Sequence, residues 1–278
     1  MSRAASFNAV RAKIAAMEAP GASARAVLRF GDARIDGAFP AGGLPLGCWH
    51  EVAGEGLEIE TAAAAGAFAA VLAGALAGGG AGSGASGGAL IWVMRRGDLY
   101  APGLAAFGLP AERLIQVETR DEAQALAVLE DALGCAGVTA AIGEVGAIDL
   151  TAGRRLQLAC ERRGATGFLI RRRPFGRPAP KTRDITSSGL PPGSGAATRW
   201  SVACVPSEPI PVAPGLVAMA PKVMGLGPPR WRVELRRCRG GRPGSWIVEM
   251  NDGPYPLHVV AQLGDRQLEA AQPWRRAV

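Results

Sequence analysis

Hydrophobic positions along the chain follow two periods. Phe7, Val10, Ile14 and Met17 recur at helical spacing, which predicts an amphipathic helix over residues 7–18, stopped by Pro20 and Gly21. The turn segment Gly42-Gly43-Leu44-Pro45-Leu46-Gly47 leads into an apolar run at 48–52, read as a strand. A loop follows at 53–60, then a small-residue helix at 61–77. From there the pattern alternates: strand 89–94, short helix 102–107, strand 113–118, helix 121–133, strand 138–142, helix 150–163, strand 166–170. Short apolar runs separated by amphipathic helices predict crossover units, hence a mostly parallel sheet flanked by helices on both faces. Strand-like segments return at 198–205 and 231–237, and a Gly/Pro turn at 240–244 before 245–250 predicts an antiparallel hairpin.

Three stretches interrupt this pattern. Residues 78–88 contain only Gly, Ala and Ser, a flexible connector. Residues 171–197 turn basic, then polar and Gly/Pro-rich, and read as an insert, while 206–229 is Pro-rich. The expected organisation is an N-terminal helix and linker (1–27), a core (28–250) and a peripheral tail (251–278) to which no element is assigned.

Composition narrows the class. Of 278 residues, 48% are hydrophobic, enough for a substantial core, and the net charge of +7 favours acidic partners such as nucleic acid or an acidic protein surface. The five cysteines are widely spaced with no Cys-x-x-Cys pair, and His50 and His258 lie far apart, which excludes a zinc site or disulfide framework and suits a reducing compartment. With no signal-peptide pattern and an apolar stretch at 61–77 too weak for a span, a soluble, cytoplasmic protein without a membrane partner is expected.

The run 42–47 followed by Cys48-Trp49-His50-Glu51-Val52-Ala53-Gly54 resembles the lead-in of RecA recombinases to their phosphate loop. Later segments resemble RecA in the same order: Tyr100-Ala101 opening a helix, 122–133 as the next helix, 138–148 as the Walker B strand and 233–250 as the last hairpin. The resemblance implies an α/β, RecA-like P-loop-type core, its mostly parallel sheet flanked by helices and ending in a C-terminal antiparallel hairpin. Within that superfamily the chain resembles the ImuA (inducible mutagenesis) family. The resemblance rests on Leu44-Pro45-Leu46-Gly47, Asp98-Leu99-Tyr100-Ala101-Pro102-Gly103-Leu104, Arg154-Arg155-Leu156-Gln157-Leu158-Ala159 and Arg239-Gly240-Gly241-Arg242-Pro243-Gly244-Ser245-Trp246.

A working phosphate loop needs Gly-x4-Gly-Lys-Ser/Thr, because backbone N–H groups wrap the phosphates, Lys reaches the terminal ones and the hydroxyl holds Mg²⁺. Here Gly54 keeps the first position and Thr61 the last, but Ile59 stands at the second glycine and Glu60 at the lysine. A phosphate facing Glu60 meets repulsion of about 1 kcal/mol per charge pair at 4 Å in water, and about 4 at an effective dielectric of 20. The stretch expected to carry the water-polarising acid reads Val93-Met94-Arg95-Arg96. On the Walker B strand Gly143 occupies the metal-binding Asp position, leaving Glu144, one residue on, as the remaining carboxylate. The expectation is a protein without catalytic residues, bound metal or nucleotide cofactor. Thr61 is then a helix N-cap, and His50 a partly buried strand residue and not a ligand.

Function is therefore expected on surfaces. Arg171, Arg172, Arg173, Arg177, Lys181 and Arg183 open the insert where RecA carries its DNA-binding loops, and Arg236, Arg237, Arg239 and Arg242 lie on the hairpin with Trp231 and Trp246 nearby. Arginines beside aromatics suit DNA or a protein partner; the bland alternative is a solvated charge run with core tryptophans. The family resemblance implies an accessory role in SOS translesion mutagenesis, with an ImuB-like polymerase homologue and an error-prone polymerase subunit as partners, and RecA or DNA as further ones. Helix 150–163 and the C-terminal tail are the partner-facing candidates. Two rivals remain: an active RecA-like DNA-binding ATPase, opposed by Ile59, Glu60 and Gly143, and a SulA-like cell-division inhibitor, to which no residue here points specifically.

Overall fold

A computed structural model describes residues 26–55, 58–78, 87–146, 148–172, 195–208, 210–211, 224–225, 227–250 and 253–263. The expected helix at 7–18, most of the connector and most of the insert lie outside these residues.

The chain begins with β1 (Val27–Leu28), α1 (Ala33–Asp36) and β2 (Leu44–Pro45), with β1 and β2 paired antiparallel. Next come β3 (Trp49–Gly54), α2 (Glu58–Ala77) and β4 (Ala89–Met94). A short α3 (Ala101–Leu104) runs into 3-10 turns before β5 (Leu114–Glu118). The alternation continues through α4 (Glu122–Leu133), β6 (Val138–Val145), α5 (Leu150–Arg163), β7 (Thr166–Arg171) and β8 (Thr198–Val205). A small ladder of β9 (Ile210–Pro211) and β10 (Met224–Gly225) precedes β11 (Arg230–Cys238), β12 (Gly244–Met250) and β13 (Leu257–Leu263).

One nine-stranded sheet runs β13-β12-β11-β8-β3-β7-β6-β4-β5. It is parallel from β8 to β5 and antiparallel from β8 to β13. The parallel core and the closing hairpin agree with the sequence pattern. Several boundaries shift by one or two residues, and the larger differences are that α2 starts at Glu58, β6 continues through Val145, and the stretch after Asn251, expected to be a tail without structure, contributes the edge strand β13.

Local chemistry explains the helix ends. The Asp121 carboxylate accepts from the Gln124 N–H at 2.8 Å and Asp149 from the Ala152 N–H at 2.7 Å, satisfying donors at the starts of α4 and α5. Gly164 ends α5 in the left-handed conformation, φ 77°, where a side chain is strained.

The two sheet faces carry separate cores. On one, α2 lays Phe68, Leu72 and Leu76 over Trp92, Ile142, Phe168 and Trp200. Trp200 centres an aromatic cluster, 5.4 Å from Phe68 and 6.5 Å from Trp246 between ring centroids. Gly74 lets α2 approach the Gly108 carbonyl so closely that a Cβ would collide with it. On the other face, Leu129 and Leu133 of α4 and Leu156 and Cys160 of α5 cover Trp49, Val93, Ala141 and Leu169.

β13 belongs to the core by alternation: Leu257 and Val259 are buried, whereas His258 and Val260 point to solvent. Val259→Asp is expected to cost about 3–5 kcal/mol, the cost of an unpaired buried charge. Val260→Asp on the opposite face should stay within about 0.5 kcal/mol. Urea unfolding of both variants checks this; equal effects would mean that β13 is not a two-faced strand.

Candidate functional site

The strand–turn–helix frame of a phosphate loop is present. β3 ends at Gly54, α2 begins at Glu58, and Ile59, Glu60 and Thr61 fall in the first turn of α2. Thr61 is therefore inside the helix and is not its N-cap. Glu55, between strand and helix, is held from the antiparallel half of the sheet: its N–H donates to the Val202 carbonyl at 2.9 Å and its carboxylate pairs with Arg232 at 2.7 Å.

Pleating decides which β6 residue faces this frame. Ile142 packs in the α2 core, so Glu144, two residues on, shares that face, while Gly143 points towards α4. A Cβ at Gly143 would collide with the Leu129 side chain. Glu144 is thus the β6 carboxylate on the α2 face, whereas Gly143, expected at the Asp position, lies on the α4 face. Glu144 is 5% exposed and both its oxygens are occupied. Trp92 Nε1 donates to Oε1 at 3.0 Å and Arg172 Nε to Oε2 at 2.9 Å. Arg172 also lies 3.8 Å from Asp98. Among the described residues no group of three or more His, Cys, Asp or Glu is arranged to hold a metal.

Beside this network is a pocket of about 490 Å³, lined by Gly66 of α2, Trp92, Arg96, Tyr100, Phe107 and Glu144 among others. It opens at the carboxyl ends of β4, β6 and β7, where ligands of parallel α/β sheets bind. Its polar floor is the Trp92–Glu144–Arg172 system, already internally paired.

The basic residues divide. Arg171 and Arg172, expected on a DNA- or partner-binding insert, are turned inward. Arg171 ends β7 and its Nε lies 3.4 Å from Glu51 Oε1, while Arg199 Nε lies 3.2 Å from Glu51 Oε2. Glu51 is fully buried and both guanidiniums are at least nine-tenths buried, so desolvation demands this pairing. Arg173, Arg177, Lys181 and Arg183 lie outside the described residues. On the hairpin, Arg236 pairs with Glu234 at 3.2 Å and Arg239 Nη2 donates to the Gly195 carbonyl at 2.9 Å. Arg237 and Arg242 reach solvent, although Arg242 Nη2 also donates to the Gly37 carbonyl at 3.3 Å. Trp231 and Trp246 are core residues, 3% and 1% exposed, and offer no stacking surface.

Trp92, Asp98 and Arg199 were not singled out from the sequence. The available signal was a lone charge inside each of two apolar strands, Glu51 in β3 and Arg199 in β8, since a buried charge requires a buried partner.

His50 is buried and structural. Nε2 faces the Pro45 carbonyl at 3.0 Å, which can only accept, so the neutral ring carries its proton there. Nδ1 then accepts from the Thr198 hydroxyl at 2.8 Å, whose oxygen accepts from Trp200 Nε1 at 2.9 Å. Burial pushes the imidazole pKa down to about 3. The unfolded chain therefore takes up this proton first. Stability is full above about pH 6.5 and falls by about 1.4 kcal/mol per pH unit below it, until the folded ring titrates. His50→Gln is expected to flatten that slope between about pH 6.5 and 5, read from chemical unfolding at each pH; an unchanged slope would place the effect elsewhere. Gly143→Asp, which restores a Walker B aspartate in sequence, is expected to cost about 3–5 kcal/mol by burying a carboxylate against Leu129. A neutral effect in the same unfolding assay would mean that this face is open.

No family model matches the chain. Protein ImuA of Caulobacter vibrioides, in two strains, is 52% identical over 264 residues, covering 94% of this chain and 99% of that protein. Among solved structures the RadB recombinase aligns at TM-score 0.50 and 12% identity, over 83% of this chain and 98% of RadB. A KaiC-like protein from Pyrococcus horikoshii OT3 aligns at TM-score 0.46 and 14% identity, over 85% of this chain and all of that one. SulA from Pseudomonas aeruginosa aligns at TM-score 0.36 and 21% identity, over 44% of this chain and 96% of SulA. The fold is RecA-like, and with half its residues shared with ImuA across nearly the full length of both, the chain belongs to the ImuA family.

Proposed function

We propose that this protein is a catalytically degenerate RecA-like accessory factor of DNA-damage-induced (SOS) translesion mutagenesis, which assembles or localises an error-prone polymerase complex through protein contacts. Membership of the inducible-mutagenesis family supports the process. The state of Glu144 carries the argument for degeneracy: the one carboxylate on the nucleotide face of β6 is consumed by Trp92 and Arg172 at 3.0 and 2.9 Å. A divalent ion at Glu144 would have to displace an arginine from a nearly dry site. Ile59 and Glu60, at the glycine and lysine positions of the loop, act in the same direction.

The partners in this reading are an ImuB-like polymerase homologue and an error-prone polymerase subunit, with RecA or DNA as further ones, and it needs no cofactor. Arg237 and Arg242 are the hairpin cations still placed to meet such partners. The active RecA-like ATPase is the competing outcome of the decisive test, a calorimetric titration of the whole chain with ATP and Mg²⁺, with and without single-stranded DNA. No heat is expected up to about 1 mM nucleotide. Binding tighter than about 100 μM, roughly 5.5 kcal/mol, would overturn the degenerate-site reading and favour the ATPase.

A further inference from the structure

Helix α5 buries one side and leaves the other unpartnered. Gly153, Leu156, Gln157, Ala159 and Cys160 face the sheet and α4. At about 100° per residue, Leu150, Glu161, Arg154, Leu158, Thr151, Arg162 and Arg155 share an arc of about 140° on the opposite side, and all seven are exposed. Leu150 is 65% and Leu158 39% exposed, two of the five large hydrophobic side chains left in solvent among the described residues. They stand eight residues apart, about 12 Å along the helix, with Arg154 between them and Arg162 one turn beyond Leu158.

The charges on this arc are unevenly matched. Arg155 pairs with Glu130 of α4 at 2.6 Å, and Glu161 accepts from the Gln157 amide at 2.9 Å. Arg154 and Arg162 make no ion pair among the described residues. Leu150, Arg154, Leu158 and Arg162 therefore follow one another at one-turn intervals, with the single carboxylate of Glu161 on the same arc. Elsewhere the arginines of the core edge, Arg171, Arg172, Arg199 and Arg232, have carboxylates within 4 Å.

We propose that this face of α5 docks an acidic amphipathic helix of a partner protein, one presenting apolar side chains about two turns apart with carboxylates between them. The proposal deepens the assembly role and rests on that reading. Two observations favour protein over nucleic acid. Exposed leucines gain nothing from phosphates but are worth burying in an interface, where arginine is also enriched. The carboxylate of Glu161 within the arc and that of Glu130 beside it would repel a continuous polyanionic backbone, whereas a helix can place its few acids over Arg154 and Arg162.

The test uses the whole chain and two probes: the ImuB-like polymerase homologue of the same organism, and a fluorescein-labelled helical peptide with leucines eight residues apart and glutamates between. Binding is read by anisotropy and biolayer interferometry, with circular dichroism to verify folding. Leu158→Glu and the double variant Arg154→Glu/Arg162→Glu are each expected to weaken both interactions about tenfold or more. The double variant should also lose the salt dependence of binding. Arg163→Glu, which lies off the arc, should leave them within about twofold. If the polymerase homologue binds and the α5 variants bind it equally, the docking face is wrong and the assembly reading stands. If only the peptide binds, in an α5-dependent way, the docking face stands and that partner is wrong. Binding of neither probe overturns the proposal. So does a double variant that loses affinity for a 30-nucleotide single strand while keeping the polymerase homologue.

Discussion

The sheet depends on the pairing of a fully buried carboxylate at its centre. β3 is the central strand, parallel to both neighbours, and Glu51 on it reaches Arg171 of β7 on one side and Arg199 of β8 on the other. A charge with no exposed surface is tolerated only when its partners are fixed, so this cluster ties β7 and β8 to β3. It also defines the root of the basic insert, which leaves the sheet after Arg171 and returns shortly before Arg199. On the opposite face of the same strand, His50 joins Pro45 and Thr198 through a neutral imidazole, so polar pairing binds β3 to its surroundings on both faces.

The same alternation governs the nucleotide position. Because neighbouring strand residues face opposite ways, a shift of one residue separates a side chain that meets the phosphate frame from one packed under α4. Glu144 is on the first face and Gly143 on the second, where Leu129 fills the space that a side chain would need. Trp92, Glu144, Arg172 and Asp98 form a connected polar system across three strand ends and the following loop. Both oxygens of Glu144 are engaged within it.

How much of this was legible in the sequence follows from the physical signals. The parallel core was readable because apolar runs of strand length alternate with helical periods, and Asp121 and Asp149 mark helix starts. The residue identities at the expected phosphate-loop positions were equally plain. β13 escaped because Leu257-His258-Val259-Val260 alternates only weakly and follows a Pro-rich turn; its place is set by pairing with β12. Arg171 and Arg172 were misread because a run of three arginines looks like a solvated surface, while the carboxylates that bury two of them lie 120 and 28 positions earlier, at Glu51 and Glu144. The hairpin tryptophans were ambiguous for a related reason: alternation permits either face, and only the aromatic cluster around Trp200 decides for Trp246.

An arginine-rich chain therefore cannot be read for function by counting cations. Those facing Glu51, Glu144, Glu249 and Glu55 hold the molecule together, and their charge is not offered outward. Arg154 and Arg162 make no ion pair among the described residues and stand on a helix whose other side is committed to the core. Placed beside two leucines that folding leaves wet, they give that face both terms of a protein interface: apolar area to bury and charge to orient the encounter. In a RecA-like fold whose β6 carboxylate is engaged by Trp92 and Arg172, such a surface is one place where binding energy remains to be gained.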